Sequence, residues 1–248
     1  MKKSKLAEIM AKSDAVAIFC TGPAGSGKTT FIKLMNELLT PRMQRVGQSV
    51  NQVVDYADMS GIMRSFMEEE SALGSKLAYN EASMASGKYM PDNLVIETFE
   101  NWLPNKSGAK ILLIGGAPRT ERQLELLKHF KKAVVVHTEA SKDESGTAIL
   151  RRMEKGGVRM DDGNQSVFDQ RWEEYETLTK PVLGKLNGNS IQLQRSTPLT
   201  QRLMMTFEEL LKKEHFNGRL FQHGLNCLKT PQHPIHTKIR EIENPILI

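Results

Sequence analysis

The sequence predicts an α/β fold in which helices cover both faces of a central parallel sheet. Three observations lead to this prediction. Short apolar runs at residues 15–21, 110–114 and 133–137 are typical of strands buried on both faces. Stretches with helical periodicity separate the runs, and such alternation favours parallel pairing. A glycine-rich turn directly follows the first run and leads into a helical stretch.

The remaining elements continue this alternation. Residues 49–56 and 190–193 are predicted strands, and the helix after the glycine-rich turn is expected to end before Pro41. Further helical patterns cover residues 2–12, 61–86, 92–103, 121–130, 144–154, 165–181 and 199–213. The tail after residue 214 has turn residues such as Asn217-Gly218, Pro231 and Pro234 and little periodicity. It is expected to be disordered or to lie over the body.

Composition excludes several classes of function. The chain has 248 residues, a formal net charge of +5 and two cysteines, which suits one large domain without a disulfide framework in a reducing, cytoplasmic setting. No basic tract is interleaved with aromatic residues, so nucleic-acid binding is not expected. No apolar run has the length of a signal peptide or membrane helix, so no membrane association is expected. His233 and His236 are interpreted as solvated, and a monomer is expected.

Residues 22–29 read GPAGSGKT and satisfy the phosphate-loop pattern G-x-x-x-x-G-K-[ST]. Glycines let backbone N–H groups converge on phosphate oxygens, and the N-terminus of the following helix favours anions. Lys28 would place a cation beside the transferring phosphate, and the Thr29 hydroxyl is a candidate Mg²⁺ ligand. The pattern therefore predicts ATP binding, with candidate contacts from Gly22, Pro23, Ala24, Gly25, Ser26, Gly27, Lys28, Thr29 and Thr30.

The segments that follow resemble motifs of the adenylate kinase family of nucleoside monophosphate kinases, in the family's order, over about residues 15–213. The stretch DMSGIMRSFMEEESALGSKL (58–77) resembles the family's S-T-G-[DE]-x-[LM]-R segment and the small helical lobe behind it. Through this resemblance Arg64 is expected to grip the acceptor phosphate, with Ser60 beside it. Ser86-Gly87-Lys88, Met90 and Val95 resemble the family's segment beside the acceptor base.

Two later segments extend the resemblance. LLIGGAPRTERQ (112–123) is similar to the family's L-[IL]-D-G-[FY]-P-R-T-x-x-Q, which implies that Gly116 and Arg119 contact the acceptor and that Gln123 reads its base, favouring adenine. RRMEKGGVRMDDGN (151–164) and the following Gln170-Arg171-Trp172 resemble a short, zinc-free lid. The roles implied there are phosphate contacts from Arg159 and Arg171, with Arg152 or its neighbour Arg151 contributing from the hinge.

The resemblance implies a three-layer P-loop NTPase fold that catalyses ATP + AMP ⇌ 2 ADP with Mg²⁺. A kinase domain is expected over residues 1–214, with an acceptor-binding insert at about 59–90 and a lid at about 154–164. The extension 215–248 lies outside the resemblance. Arginine suits phosphoryl transfer because its planar fork binds two phosphate oxygens, and catalysis consists mainly of alignment and charge neutralisation.

The chain departs from the family pattern at the nucleotide site. Gly115 replaces the aspartate that usually holds water on magnesium, Ala117 replaces an aromatic residue, and the Thr-Gly pair before Arg64 is altered. Asp55 or Asp58, at the end of the second strand, is a candidate replacement for the missing acid. Two other interpretations stay open, namely a weakened enzyme that acts as a nucleotide-binding regulator and a kinase for another monophosphate such as UMP or CMP.

Overall fold

The computed structural model describes residues 15–44, 54–106, 108–156, 163–186, 188–213 and 218–243. Its centre is a five-stranded, all-parallel sheet in the order β2-β3-β1-β4-β5. The strands are β1 (Val16–Thr21), β2 (Val54–Asp58), β3 (Ile111–Gly115), β4 (Lys132–Glu139) and β5 (Ser190–Gln194). The predicted α/β fold with a central parallel sheet is confirmed.

Helices lie on both faces of this sheet. They are α1 (Lys28–Gln44), α2 (Met59–Met67), α3 (Ala72–Tyr79), α4 (Glu81–Ala85), α5 (Asp92–Trp102), α6 (Lys142–Glu154), α7 (Gln165–Glu174), α8 (Lys180–Leu183), α9 (Leu199–Lys212), α10 (Gly218–Lys229) and α11 (Ile235–Glu243). Two 3₁₀ segments, Leu103–Lys106 and Arg122–His129, and a π-helical turn, Tyr175–Thr179, complete the described elements. No helix among the described residues has the length and apolarity needed to cross a membrane.

Two apolar cores form on opposite faces of the sheet, because successive side chains of a strand point to opposite sides. Ile18 of β1 faces the core beneath α1 and α9, whereas Phe19 faces the core beneath α5. Both side chains are fully buried. Burial on both faces explains why β1, β3 and β4 appear in the sequence as continuous apolar runs.

The prediction that the first helix ends before Pro41 is wrong, since α1 continues to Gln44. Proline fixes φ near the helical value and removes one backbone hydrogen bond, so a helix can pass through it with a local loss. The second strand, predicted at 49–56, covers Val54–Asp58 in the structure. Residues 49–53 and the predicted helix at 2–12 lie outside the described residues.

For the tail, the expectation of little periodicity and disorder is wrong, whereas the alternative that it lies over the body is confirmed. Helices α10 and α11 occupy most of it, and their apolar stripes join the core beneath α1 and α9. Phe221 is fully buried against Phe207 of α9, with ring centroids 6.1 Å apart. Within each helix, apolar residues recur at intervals of four and three residues, which is the helical pattern. The turn residues at the helix ends made this pattern less apparent in the sequence. His233 and His236 are half-buried rather than solvated, and His233 Nδ1 accepts a hydrogen bond from the Ile235 N–H.

Candidate active site

The phosphate loop connects the end of β1 at Thr21 to the start of α1 at Lys28, as the motif predicts. Two of its glycines are required by close contact as well as by a positive φ. A Cβ on Gly22 would lie 2.3 Å from the Thr138 carbonyl oxygen, and one on Gly25 would lie 2.4 Å from the Ser145 carbonyl oxygen. The loop is therefore clamped by the end of β4 and the first turn of α6.

Lys28 folds over the loop that it follows. Its ammonium donates hydrogen bonds to the Gly22 carbonyl at 2.8 Å, to the Pro23 carbonyl and to Ser26 Oγ at 3.2 Å. Ser26 is fully buried, whereas Thr29 and Thr30 are half-buried in the first turn of α1. The loop therefore combines a positive side chain with the positive end of a helix dipole, which is the arrangement that binds phosphate.

The end of β3 lies directly beside this loop. The Gly116 N–H donates to the Cys20 carbonyl at 2.9 Å, and Thr21 Oγ1 donates to the Pro118 carbonyl at 2.7 Å. The Ala117–Pro118 peptide is cis. The segment that carries Gly116 and Arg119 is thus joined to the strand that carries the phosphate loop.

Arg119 is held by the protein from several directions. Its Nε donates to the Gly116 carbonyl at 2.7 Å, and its guanidinium lies over the Tyr89 ring, 5.1 Å from the centroid. Thr179 Oγ1 bonds both the Arg119 carbonyl and the Tyr89 hydroxyl, at 2.9 Å each. Burial raises the pKa of the Tyr89 phenol, and the adjacent Arg119 cation partly opposes that rise. The arginine is therefore oriented before any ligand arrives.

Gln123 is buried, with 1% of its surface exposed, and both ends of its amide are occupied. Its Oε1 accepts from the Arg119 N–H at 2.8 Å, and its Nε2 donates to Asp92 Oδ1 at 2.8 Å. Thr120 Oγ1 donates to the same Asp92 oxygen at 2.8 Å. Sequence reasoning missed Asp92, although an acid in the first turn after Pro91 is a helix-start signal. The amide keeps one acceptor and one donor position for a further partner.

The other predicted acceptor residues lie on the neighbouring helices. Arg64 is exposed on α2, and Ser60 Oγ donates to Asp58 Oδ2 at 2.5 Å. Met90 and Val95 are buried in the core beneath α5. Ser60 therefore contacts the end of β2, Met90 and Val95 belong to the core beneath α5, and the Arg64 side chain is exposed.

The predicted lid residues are only partly described. Arg159 lies outside the described residues, as does the segment 157–162. Arg152 is half-buried on α6, and its neighbour Arg151 is exposed. Arg171 is half-buried on α7, with its Cγ 3.3 Å from the place where a Cβ on Gly87 would stand. Arg171 therefore contacts the end of the acceptor segment.

Comparisons with known proteins identify relatives of this chain by sequence. No protein-family model matches the chain. An adenylate kinase of Parabacteroides distasonis is 30% identical over 175 residues, which cover 67% of this chain and 80% of the relative. The chain belongs to the adenylate kinase family. Adenylate kinases of Kocuria rhizophila and Bartonella tribocorum are 27% identical over 199 residues and 25% identical over 176 residues, covering 96% and 81% of those relatives and 75% and 65% of this chain.

Membership makes the protein a phosphotransferase of the nucleoside monophosphate kinase type. Its P-loop NTPase fold agrees with the all-parallel sheet and with the phosphate loop between β1 and α1. Adenylate kinase family enzymes are generally Mg²⁺-dependent with ATP. Because Gly115 stands where the resemblance predicts an aspartate, a carboxylate for magnesium would have to come from Asp55 or Asp58.

The structure distinguishes the two candidate acids. Asp58 lies opposite Gly115 in the β2–β3 register, and its Oδ1 is 3.3 Å from the place where a Cβ on Gly115 would stand. The same oxygen is 3.0 Å from the corresponding point on Gly116. Asp55 instead forms an ion pair with Lys106, at 2.7 Å. The Asp58 carboxylate thus lies beside Gly115, and Ile32 Cδ1, about one turn along α1 from Thr29, is also 3.3 Å from the Cβ position of that glycine.

Three further residues of the site were not identified from the sequence. Arg195 and Arg202 direct their guanidiniums at Gly27 of the phosphate loop. His137, opposite Thr21 in the β1–β4 register, is 1% exposed and bonds the Tyr175 hydroxyl through Nε2 at 3.0 Å. Burial lowers the pKa of His137 to about 4, so the ring is neutral at pH 7. The available signal for Arg202 was a charge within the apolar stripe of α9.

Proposed function

We propose that the protein transfers the terminal phosphate of ATP to AMP, in the reaction ATP + AMP ⇌ 2 ADP. The observation that carries this proposal is the connection between the two halves of the site. The segment with Arg119 and Gln123 is hydrogen-bonded to the strand that carries the phosphate loop, through Gly116 and Cys20. This link supports Arg119 as a phosphate contact and Gln123 as a base contact beside the donor site, and relatives similar to this chain are named adenylate kinases.

Each candidate residue has a role in this reaction. Lys28 and the loop from Gly22 to Thr30 would hold the donor phosphates, with Arg152 at the donor side. Arg64, Arg119, Arg159 and Arg171 would align the acceptor phosphate and neutralise the charge on the moving phosphoryl group. Gln123 would read adenine with its remaining donor and acceptor positions. Ser60, Met90, Val95 and Gly116 would border the acceptor nucleotide.

No covalent intermediate and no dedicated general base are required, because an oxygen of the acceptor phosphate is already a nucleophile. The protein's contribution is to hold donor and acceptor in line and to exclude water, which would otherwise accept the phosphoryl group. We assign this work to a domain over residues 1–214, with an insert at about 59–90 and a lid at about 154–164. A monomer acting in the cytoplasm on ATP and a nucleoside monophosphate fits this proposal.

The residues present fit a magnesium ion with ATP. Mg²⁺ prefers oxygen ligands and keeps several waters, so one hydroxyl, one carboxylate and the nucleotide phosphates suffice. Thr29 would supply the hydroxyl, and Asp58 would supply the acid that the family has at the position of Gly115. When bound, the ion neutralises charge on the phosphate oxygens.

The test is a comparison of acceptors with the same donor. Purified protein would be mixed with MgATP and with AMP, UMP, CMP or GMP in turn, and ADP formation would be followed. Turnover is expected with AMP and is expected to disappear in Lys28→Ala, which controls for contaminating kinases. Faster turnover with UMP or CMP would show that the protein is a monophosphate kinase whose preferred acceptor is not AMP.

A second candidate function is favoured by one observation, the glycine at position 115. If Asp58 does not replace the missing acid, the protein would bind nucleotides as a regulator and turn them over negligibly. Measurable binding of ATP and AMP, with no Lys28-dependent turnover in any of the four mixtures, would select this function.

A further inference from the structure

Two arginines outside the family motifs lie close to the phosphate loop. Arg195 follows β5, and Arg202 lies on α9. If Gly27 carried a Cβ, Arg195 NH1 would be 3.1 Å and Arg202 NH1 3.8 Å from that atom. Both guanidiniums therefore approach the last residue of the loop before α1. Gly27 has a φ of +89°, which leaves its peptide in a conformation that glycine adopts readily.

Arg202 is a buried cation with an incomplete set of partners. Only 6% of its surface is exposed. Its Nε donates to the Thr197 carbonyl at 3.0 Å, whereas its NH1 has no hydrogen-bond partner in the described part of the chain. Burial, and to a smaller extent the neighbouring Arg195 cation, lower its pKa to about 10. A buried guanidinium beside a second one is unfavourable unless an anion compensates the charge.

The nearby carboxylates are engaged elsewhere. Glu243 acts on Arg202 and Glu144 acts on Arg195, each favouring the charged form. The Glu243 carboxylate accepts a hydrogen bond from the Leu199 N–H, and Glu144 accepts from the Ser141 N–H at 2.8 Å as part of the α6 capping box. Neither acid forms an ion pair with these arginines among the described residues. The two guanidiniums beside Gly27 therefore form a positively charged region that no carboxylate ion pair neutralises among the described residues.

We propose that Arg195 and Arg202 are donor-site residues that bind the polyphosphate of the nucleotide held in the loop. The inference rests on the proposed function, because it takes the loop as the ATP site. Arg202 presents its free NH1 donors from a fixed, buried position, and the half-buried Arg195 side chain adds a second fork beside it. Two such groups would give the polyphosphate directional hydrogen bonds and charge neutralisation in addition to those from Lys28.

The experiment uses single substitutions that remove one charge each. Arg195→Gln and Arg202→Met would be compared with wild type and with Arg219→Gln, an exposed arginine on α10. Isothermal titration would measure the dissociation constants of MgATP, tripolyphosphate and adenosine. Each substitution is expected to weaken MgATP and tripolyphosphate about tenfold, because hydrogen bonds to charged groups are involved. Adenosine binding and the control variant should be unchanged.

Thermal melting separates binding from a structural role. Without ligand, Arg202→Met is expected to melt at or above the wild-type temperature, because it removes an uncompensated buried charge. Its melting temperature should then rise less on adding MgATP. A lower melting temperature without ligand, together with a wild-type shift on adding MgATP, would make Arg202 a structural residue and overturn the inference.

The remaining outcomes are also decisive. Weaker adenosine binding with unchanged tripolyphosphate binding would place the pair against the nucleoside and overturn the assignment to phosphate. If Lys28→Ala no longer binds MgATP while Arg195→Gln and Arg202→Met bind it with wild-type affinity, the loop is the ATP site but the two arginines do not contribute to it. That result overturns this inference and leaves the proposed function intact. If wild type and Lys28→Ala bind MgATP equally, the donor site itself fails, and the proposed function fails with it.

Discussion

The phosphate loop and the acceptor lobe, residues 59–90, are enclosed by different parts of the chain. The loop contacts residues far away in sequence, since the Thr138 and Ser145 carbonyls face two of its glycines and the Arg195 guanidinium faces the third. These residues come from β4, α6 and the segment after β5. The loop is thus held by the body of the sheet.

The acceptor lobe combines local contacts in its helices with distant contacts at its end, where Gly87 lies against the Val167 carbonyl and Tyr89 bonds Thr179. Gly74 of α3 lies against the carbonyls of Phe66 and Glu69, and its N–H donates to Ser71 Oγ at 3.0 Å. Among the described residues, no atom beyond the chain neighbours and the helix backbone lies within 4 Å of a Cβ placed on Gly61 of α2. Helices α2 and α3 are joined to the sheet by side-chain packing and not by strand pairing, so they can shift without breaking the sheet. We therefore expect a preformed donor site and an acceptor lobe that closes on its ligand.

The largest expected effect comes from alanine substitutions at one glycine in each region, Gly22 in the phosphate loop and Gly61 in the acceptor lobe. Gly22→Ala would put a Cβ against the Thr138 carbonyl, so we expect a loss of about 3 kcal/mol or more in the free energy of unfolding and loss of ATP binding. Gly61→Ala, in open space on a helix, should raise the free energy of unfolding by about 0.5–1 kcal/mol. Chemical denaturation of both variants would measure this, and equal effects would contradict the difference between the two regions.

The donor side also predicts a pH dependence of stability. The folded pKa of His137 is about 4, below its unfolded value of 6.5. The unfolded chain therefore binds a proton first as the pH falls, and stability is lost between about pH 6.5 and 4, by about 3 kcal/mol in total. Denaturation at pH 7 and pH 4.5 should show a smaller difference for His137→Gln than for wild type.

Gln222→Ala, at an exposed position of α10 without a titratable group, is the control for this measurement. It should keep the wild-type difference between pH 7 and pH 4.5. An unchanged pH dependence in His137→Gln would show that the buried ring near the phosphate loop is not the group responsible.

A third prediction concerns the acid between the two regions. Asp58→Asn should lower the turnover number about 100-fold, because it removes the carboxylate beside Gly115. Asp55→Asn breaks a partly exposed ion pair with Lys106 and should cost less than about 1 kcal/mol in stability, with turnover nearly unchanged. Steady-state kinetics at varied magnesium would measure both, and equal rates for the two variants would refute the role of Asp58.

The smallest effect is expected in the acceptor lobe. Arg64 is exposed, so Arg64→Gln should leave folding unchanged and raise the KM for the acceptor about tenfold through a lost phosphate contact. The KM for ATP should stay constant. Lys76→Gln, which breaks an exposed pair with Glu97 on the same lobe, is the control and should alter neither constant.

The local pattern of residues was sufficient to predict much of the fold. Continuous apolar runs predicted β1, β3 and β4, because strands buried on both faces admit few polar side chains. The glycines and Lys28 predicted the phosphate loop, because few other residues fit its backbone. The end of α1 and the helices α10 and α11 were not predicted, because proline and turn residues carried more weight than the apolar spacing around them.

Sequence alone determined the phosphate loop and the alternation of strands and helices as far as α9, since these depend on residue type and near neighbours. Only the tertiary structure decided which of Asp55 and Asp58 stands beside Gly115, because pairing of β2 with β3 sets that register. It also brought Arg195 and Arg202 to Gly27 across more than 160 residues. Contacts between distant segments arise from sheet order and packing, and no local pattern records them.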